Sequence, residues 1–230
     1  MIQDKIWNNF WKNKTQKPII EVPPKILYGG TNEEPLASIG MSYFLEPIKN
    51  KFIDGICVLD YGCGAGILGN FISERLKNFF YYGLDTNSSH GNKRLNLAKE
   101  YLNDERLYFG TIDENLKEVL NKKIDIIVLI SVFTHLPVNE IHKILNNLKN
   151  VFKKNKNASI IFSCFISDED KLIDYLPDIW DNFYGISFIK EKHLIDYCKQ
   201  NNLNLKKHSI FVAANNHEHH IYEITYAGME

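Results

Sequence analysis

From residue 56 onward, short apolar runs alternate with stretches whose apolar residues recur every three or four positions. The runs predict strands and the spaced stretches predict amphipathic helices. ICVLD (56–60) is the first strand, and Ile67, Leu68, Phe71, Ile72 and Leu76 share one face of a helix over 67–77. FFYYGLD (79–85) is the second strand, followed by a helix over 88–102 with Ser88 or Ser89 as its N-cap. RLYFGTI (106–112) is a third strand, and a short helix covers 114–120. IDIIVLIS (124–131) is unbroken and apolar, as expected of a central parallel strand covered on both faces. A strongly periodic helix runs over 138–152, with Pro137 at its first position. ASIIFSCFI (158–166) is the fifth strand, 190–201 the last helix, and 203–211 with 219–226 a terminal pair of strands.

This strand–helix order predicts an α/β domain: a parallel sheet flanked by helices, joined by right-handed crossovers. The last two strands are linked by AANN (213–216), too short for a helical crossover, so they pair antiparallel. A length of 230 residues suits one such domain with an N-terminal extension. The formal net charge of -1 gives no global pull towards nucleic acid. No apolar run approaches the roughly 20 residues that span a bilayer, and MIQDKIWNNFWKNK lacks a signal peptide's apolar core. Cys57, Cys63, Cys164 and Cys198 form no CxxC pair and are read as reduced thiols of a cytoplasmic protein.

The chemistry concentrates in VLDYGCGAG (58–66), where the first strand runs into a glycine series with almost no side-chain bulk. A dinucleotide fingerprint is GxGxxG, whereas here the spacing is GxGxG with Asp60 two positions upstream. A carboxylate so close to the loop repels a pyrophosphate and suits a ligand carrying an ammonium group. The segment resembles motif I of the class I S-adenosylmethionine-dependent methyltransferases, matching it at Asp60, Gly62, Gly64 and Gly66. The resemblance implies a Rossmann-like three-layer fold, with a seven-stranded, mostly parallel sheet and an antiparallel last strand. It implies S-adenosylmethionine as cofactor, with its amino acid end near Asp60 and the turn, Cys63 included, passing beneath it.

Other strand ends extend the expected cofactor site. Asp85, followed by Thr86, closes the second strand where the family carries an acidic residue for the ribose; NAD-binding proteins use the same position. Ile112 and Asp113 stand where the family surrounds the adenine, although Asp113 serves equally well as an N-cap. SVFTHLP (131–137) ends the fourth strand, placing Ser131 at the crevice and His135 just past it. His135 is the candidate general base for an acceptor hydroxyl, or else a structural histidine of the loop.

Acceptor contacts are expected from Tyr28 in a lid-like N-terminal extension (1–50), from Tyr184 in an aromatic loop over 167–187, and from His217 near the final turn, besides His135. Residues 51–230 then form the methyltransferase domain. Trp7, Phe10 and Trp11 belong to an amphipathic helix docked on the core, or to a homodimer contact. His217, His219, His220 and Glu218, with Asp168, Glu169 and Asp170, raise the idea of a metal site, but a hydrated hairpin tip is favoured and no metal is expected. No NPPY-like sequence follows the fourth strand, which disfavours amino methylation of nucleic-acid bases. The expected acceptor is a small polar molecule, a sugar or sugar nucleotide methylated on oxygen. A carboxylate, a phosphate-type oxygen or an amine is the alternative, and a nicotinamide-dependent oxidoreductase or a catalytically silent cofactor-binding module is the rival.

Overall fold

The computed structural model describes residues 44–173, 186–212 and 218–228. Its centre is β1 (Ile56–Tyr61), which pairs in parallel with β2 (Phe79–Asp85) on one side and β4 (Ile126–Leu129) on the other. β3 (Leu107–Thr111) adds parallel to β2, and β5 (Ser159–Ile166) adds parallel to β4. β9 (Glu218–Tyr226) runs antiparallel between β5 and β8 (Leu203–Val212). The order is therefore β3-β2-β1-β4-β5-β9-β8, with the antiparallel strand one position in from the edge. These are the seven strands expected from the apolar runs.

Two short strands add to them. β6 (Lys171–Ile173) and β7 (Ile186–Ile189) pair antiparallel within the stretch expected to be loop, making nine strands among the described residues. β7 joins β5 only at Phe165 and Ile166. Because β9 occupies the other edge of β5 there, β7 lies on the edge shared with β4, beyond the end of β4 at Leu129. The ribbon thus stands over the carboxyl end of β4 and packs on the turn that follows it.

Helices α1 (Ile67–Ser73) and α2 (Ser89–Tyr101) cover one face, and α3 (Ile112–Leu120), α4 (Val138–Leu148) and α5 (Glu191–Gln200) cover the other. On the first face Leu68, Ile72, Leu95 and Ala98 pack on Val58, Tyr81, Val128 and Ile161, and Phe44, Leu45 and Ile48 extend that layer. On the second face Val119, Ile141, Leu145, Leu194 and Tyr197 pack on Leu59, Ile127, Leu129, Ile160 and Tyr222. Burial on both faces explains why β1, β4 and β5 are nearly unbroken apolar runs.

Three boundaries differ from expectation for local reasons. α1 stops at Ser73 rather than 77, because the Asp54 carboxylate takes the N–H groups of Lys77 and Asn78 (2.8 and 3.0 Å) and turns the chain into β2. α3 begins at Ile112 with Thr111 in the N-cap position, so Asp113 is a first-turn residue and not the cap. Pro137 is itself the N-cap residue of α4, one position before the expected one. Ser88 caps α2, its Oγ accepting from the Gly91 N–H at 2.9 Å.

Candidate active site

The loop after β1 folds over the end of β2: the N–H groups of Gly62 and Cys63 both donate to the Leu84 carbonyl, at 2.7 and 3.1 Å. Gly62, Gly64 and Gly66 all have positive φ (79, 58 and 80°), a region unfavourable to residues bearing a Cβ. Their surroundings differ. A Cβ on Gly62 would lie 2.6 Å from Val132 Cγ2, and one on Gly66 would lie 2.8–2.9 Å from Leu102 and Phe109. A Cβ on Gly64 would meet nothing within 4 Å among the described residues. Two of the glycines therefore admit neighbouring side chains, and the middle one leaves backbone bare beneath open space. Cys63 is buried, and burial, then Asp60 and Asp85, push its thiol well above the usual range. It is a neutral filler at physiological pH.

Two carboxylates flank this loop, each nearly inaccessible to solvent. Asp60 accepts a 2.6 Å hydrogen bond from the Tyr81 hydroxyl on its Oδ2. Burial pushes its pKa up to about 7, with the Tyr81 hydrogen bond pulling down and the Asp85 charge pushing up. A cation brought beside it would draw it into the ionised form. Asp85 is held by three groups of the protein itself. Its Oδ2 accepts from the Gly64 N–H (2.9 Å), its Oδ1 from the Thr86 N–H (2.7 Å), and Arg94 Nη2 reaches both oxygens at 3.0 and 2.9 Å. Asp85 thus clamps the glycine loop to the end of β2.

β3 ends beside it, with Thr111 in register with Asp85. Thr111 is buried and its Oγ1 has no hydrogen-bond partner among the described residues. Ile112 is half-buried and Asp113 is exposed on the first turn of α3. Burial, and then the Asp113 and Asp85 charges, raise the Tyr61 phenol to about 12.

A strained residue stands two positions past the end of β4. Ser131 has φ 56°, one of two non-glycine residues with positive φ among those described. The strain is held from both sides, by its N–H donating to Ser163 Oγ and its carbonyl accepting from Thr134 Oγ1, each at 2.9 Å. The kink starts a 3-10 turn, Phe133–His135, anchored by Phe133 against Phe162 with ring centroids 5.0 Å apart. His135 is half-buried at the end of this turn, which packs against β7 and β5.

The sheet therefore brings Asp60, Gly62, Cys63, Gly64, Gly66, Asp85, Thr86, Ile112, Asp113, Ser131 and His135 to the carboxyl edge of its parallel strands, where crevices of such sheets bind ligands. Tyr28, Tyr184 and His217 lie outside the described residues. His219 pairs with Phe165 near the same edge and stands edge-on to its ring at 4.4 Å, whereas His220 stacks towards Tyr222 on the opposite face. Asp170 is engaged by His193 Nε2 (2.6 Å) and the Lys190 N–H (2.8 Å). Among the described residues no group of three or more His, Cys, Asp or Glu side chains is arranged to hold a metal ion. None of their helices is long and apolar enough to cross a membrane. Tyr81 and Arg94 were not singled out by sequence, since no spacing rule links them to the glycine loop.

Comparison with known proteins follows the same lines. A ubiquinone biosynthesis O-methyltransferase from Pelagibacter ubique (strain HTCC1062) is 28% identical over 178 residues, covering 70% of this chain and 65% of that protein. The match thus spans just under two thirds of that relative's length. Solved structures of like fold include a SAM-dependent methyltransferase from Anabaena variabilis ATCC 29413, with TM-score 0.62, 13% identity and coverage of 97% of this chain and 95% of that one. Another is magnesium protoporphyrin IX methyltransferase from Synechocystis PCC 6803 with bound SAH, with TM-score 0.55, 19% identity and coverage of 82% and 81%. At such identities the likeness is one of fold. A family model described as a methyltransferase domain matches residues 36–208, three quarters of the sequence, and the chain belongs to that family.

Proposed function

We propose that the protein is an S-adenosylmethionine-dependent methyltransferase that methylates a hydroxyl oxygen of a small polar acceptor, a sugar or sugar nucleotide. The observation that carries the reading is the bare Gly64 backbone, clear of every other described side chain on its Cβ side and set between the two buried carboxylates Asp60 and Asp85. That donor set fits the cofactor: Asp60 for the ammonium group, Asp85 and the orphaned Thr111 hydroxyl for the ribose, and Ile112 and Asp113 for the adenine, with Thr86 and Ser131 on the rim. When bound, S-adenosylmethionine supplies a methyl group already made electrophilic by the sulfonium charge.

The chain's own work is alignment and proton transfer. His135, at the end of the turn fixed by Phe133 and strained Ser131, takes the proton from the acceptor hydroxyl. The β6–β7 ribbon forms one wall of the acceptor side, and Tyr28, Tyr184 and His217 are proposed acceptor contacts on sequence grounds alone. The O-methyltransferase relative supports oxygen as the accepting atom, and the absence of an NPPY-like sequence argues against nucleic-acid bases.

Calorimetric titration with S-adenosylmethionine, S-adenosylhomocysteine and NADH tests the cofactor, and binding of NADH alone overturns the proposal. Transfer of a labelled methyl group to a panel of sugars, sugar nucleotides, phenols, carboxylates and amines tests the acceptor. Exclusive labelling of an amine or carboxylate would overturn the oxygen-acceptor reading.

A further inference from the structure

One strong polar contact at this edge belongs to no motif. Tyr81 lies two residues before Gly83 in β2, on the face shared with Val58 and Asp60, and is almost wholly buried. Its ring is caught between two glycines. A Cβ on Gly69 of α1 would lie 3.0 Å from it, and a Cβ on Gly83, the residue opposite Asp60, would lie 2.9 Å from it. Phe109 closes a third side, edge-on with centroids 5.7 Å apart. The ring has one pose, and that pose delivers its hydroxyl to Asp60 Oδ2 at 2.6 Å.

We propose that Tyr81 is the positioning residue for Asp60: its hydroxyl fixes the carboxylate's orientation and favours the charged form that receives the ammonium end of the methyl donor. This rests on the reading of the crevice as an S-adenosylmethionine site. The groups facing Asp60 are few. Tyr81 and Asp85 reach it from β2, Cys63 from the loop, and Arg94 of α2 sits beyond on Asp85 and near Cys63; its partner on β4, Val128, is apolar. Of these, Asp85 disfavours a second negative charge, and only the Tyr81 hydroxyl donates directly to the Asp60 carboxylate. The phenol itself stays protonated, since burial and then Asp60 push it well above its usual range. It is therefore a permanent donor.

The test compares wild type with Tyr81→Phe by calorimetry between pH 6 and 8.5, using S-adenosylhomocysteine and 5′-methylthioadenosine, which lacks the amino acid end. A lost hydrogen bond to a charged group predicts S-adenosylhomocysteine binding about tenfold weaker at pH 7. The deficit should shrink as pH rises, with the affinity–pH curve displaced to higher pH, while 5′-methylthioadenosine binds both proteins equally. In an Asp60→Asn background the Tyr81→Phe change should have little further effect on S-adenosylhomocysteine affinity. Equal S-adenosylhomocysteine affinity in wild type and Tyr81→Phe at every pH overturns the role of Tyr81, as does an equal loss for 5′-methylthioadenosine. Failure of wild type to bind either ligand overturns instead the reading of the site.

Discussion

Arg94, on α2, places Nη2 within 3.0 and 2.9 Å of the two carboxylate oxygens of Asp85, the buried acid at the end of β2. With the Gly64 and Thr86 N–H groups also donating, each oxygen of that carboxylate meets one backbone N–H and the guanidinium. The proposed ribose acceptor is thus shared with the protein's own guanidinium.

Replacing Arg94 with Ala should cost about 2 kcal/mol of stability, since Asp85 keeps two N–H donors but loses its counter-charge. Ribose hydroxyls would then fill the vacated positions. Saturating S-adenosylhomocysteine should raise the melting temperature of Arg94→Ala by more than it raises that of wild type, and a smaller rise would contradict the exchange.

The glycines give a second prediction. Gly64→Ala strains a φ of 58° but touches nothing, so it should cost only about 1–2 kcal/mol while strongly weakening cofactor binding. Gly62→Ala adds a clash with Val132 Cγ2 to the same strain and should cost about 1–3 kcal/mol more. Denaturant unfolding and calorimetry separate the two effects.

Asp60 makes stability depend on pH in an unusual sense. Its folded pKa, about 7, lies above the ordinary carboxylate value of 3.8, so its contribution is fully present below about pH 4 and lost as pH rises through 7. Asp60→Asn should therefore be more stable than the ligand-free wild type at pH 8, by an amount on the order of a few kcal/mol, and the gap should narrow towards pH 5. Urea unfolding across that range measures it.

Glu223 has the opposite sense. Buried on β9, it accepts from Lys51 Nζ and Ser159 Oγ, each at 2.5 Å, and from His208 Nε2 at 2.8 Å. Burial pushes its pKa up, but Lys51, Ser159 and His208 together outweigh burial and hold it below the usual value. Its stabilisation is present above the unfolded-state pKa and is lost as pH falls through the lowered folded one. Glu223→Ala should cost about 3 kcal/mol at pH 7, and less at pH 4. Because Lys51 ends the turn Glu46–Lys51, amide exchange there should accelerate in the variant.

His135→Ala should leave S-adenosylhomocysteine affinity unchanged and lower turnover by roughly 10²–10⁴-fold, the usual worth of a general base. Undiminished turnover, measured as labelled methyl transfer, would remove His135 from the reaction.

Periodicity alone was enough to mark β1 to β5, β8 and β9, because each buries a face or a pair of faces that its own residues must line. The same local logic exposed Asp60 and the glycine turn, and it offered Ser88 or Ser89 as a helix cap, the role that Ser88 fills. β6 and β7 escaped, since they are three and four residues long and lack the extended apolar run that marked β4. The contacts that define the crevice are of another kind. Asp85 meets the Gly64 N–H across 21 positions, and Tyr81 reaches Asp60 across the same separation, each through the parallel register of β1 and β2. Sequence by itself determined which faces are buried and where the backbone turns without side chains. Only the tertiary structure decided which buried carboxylate faces a phenol and which an arginine, because strand register and the gaps left at Gly69 and Gly83 set those distances.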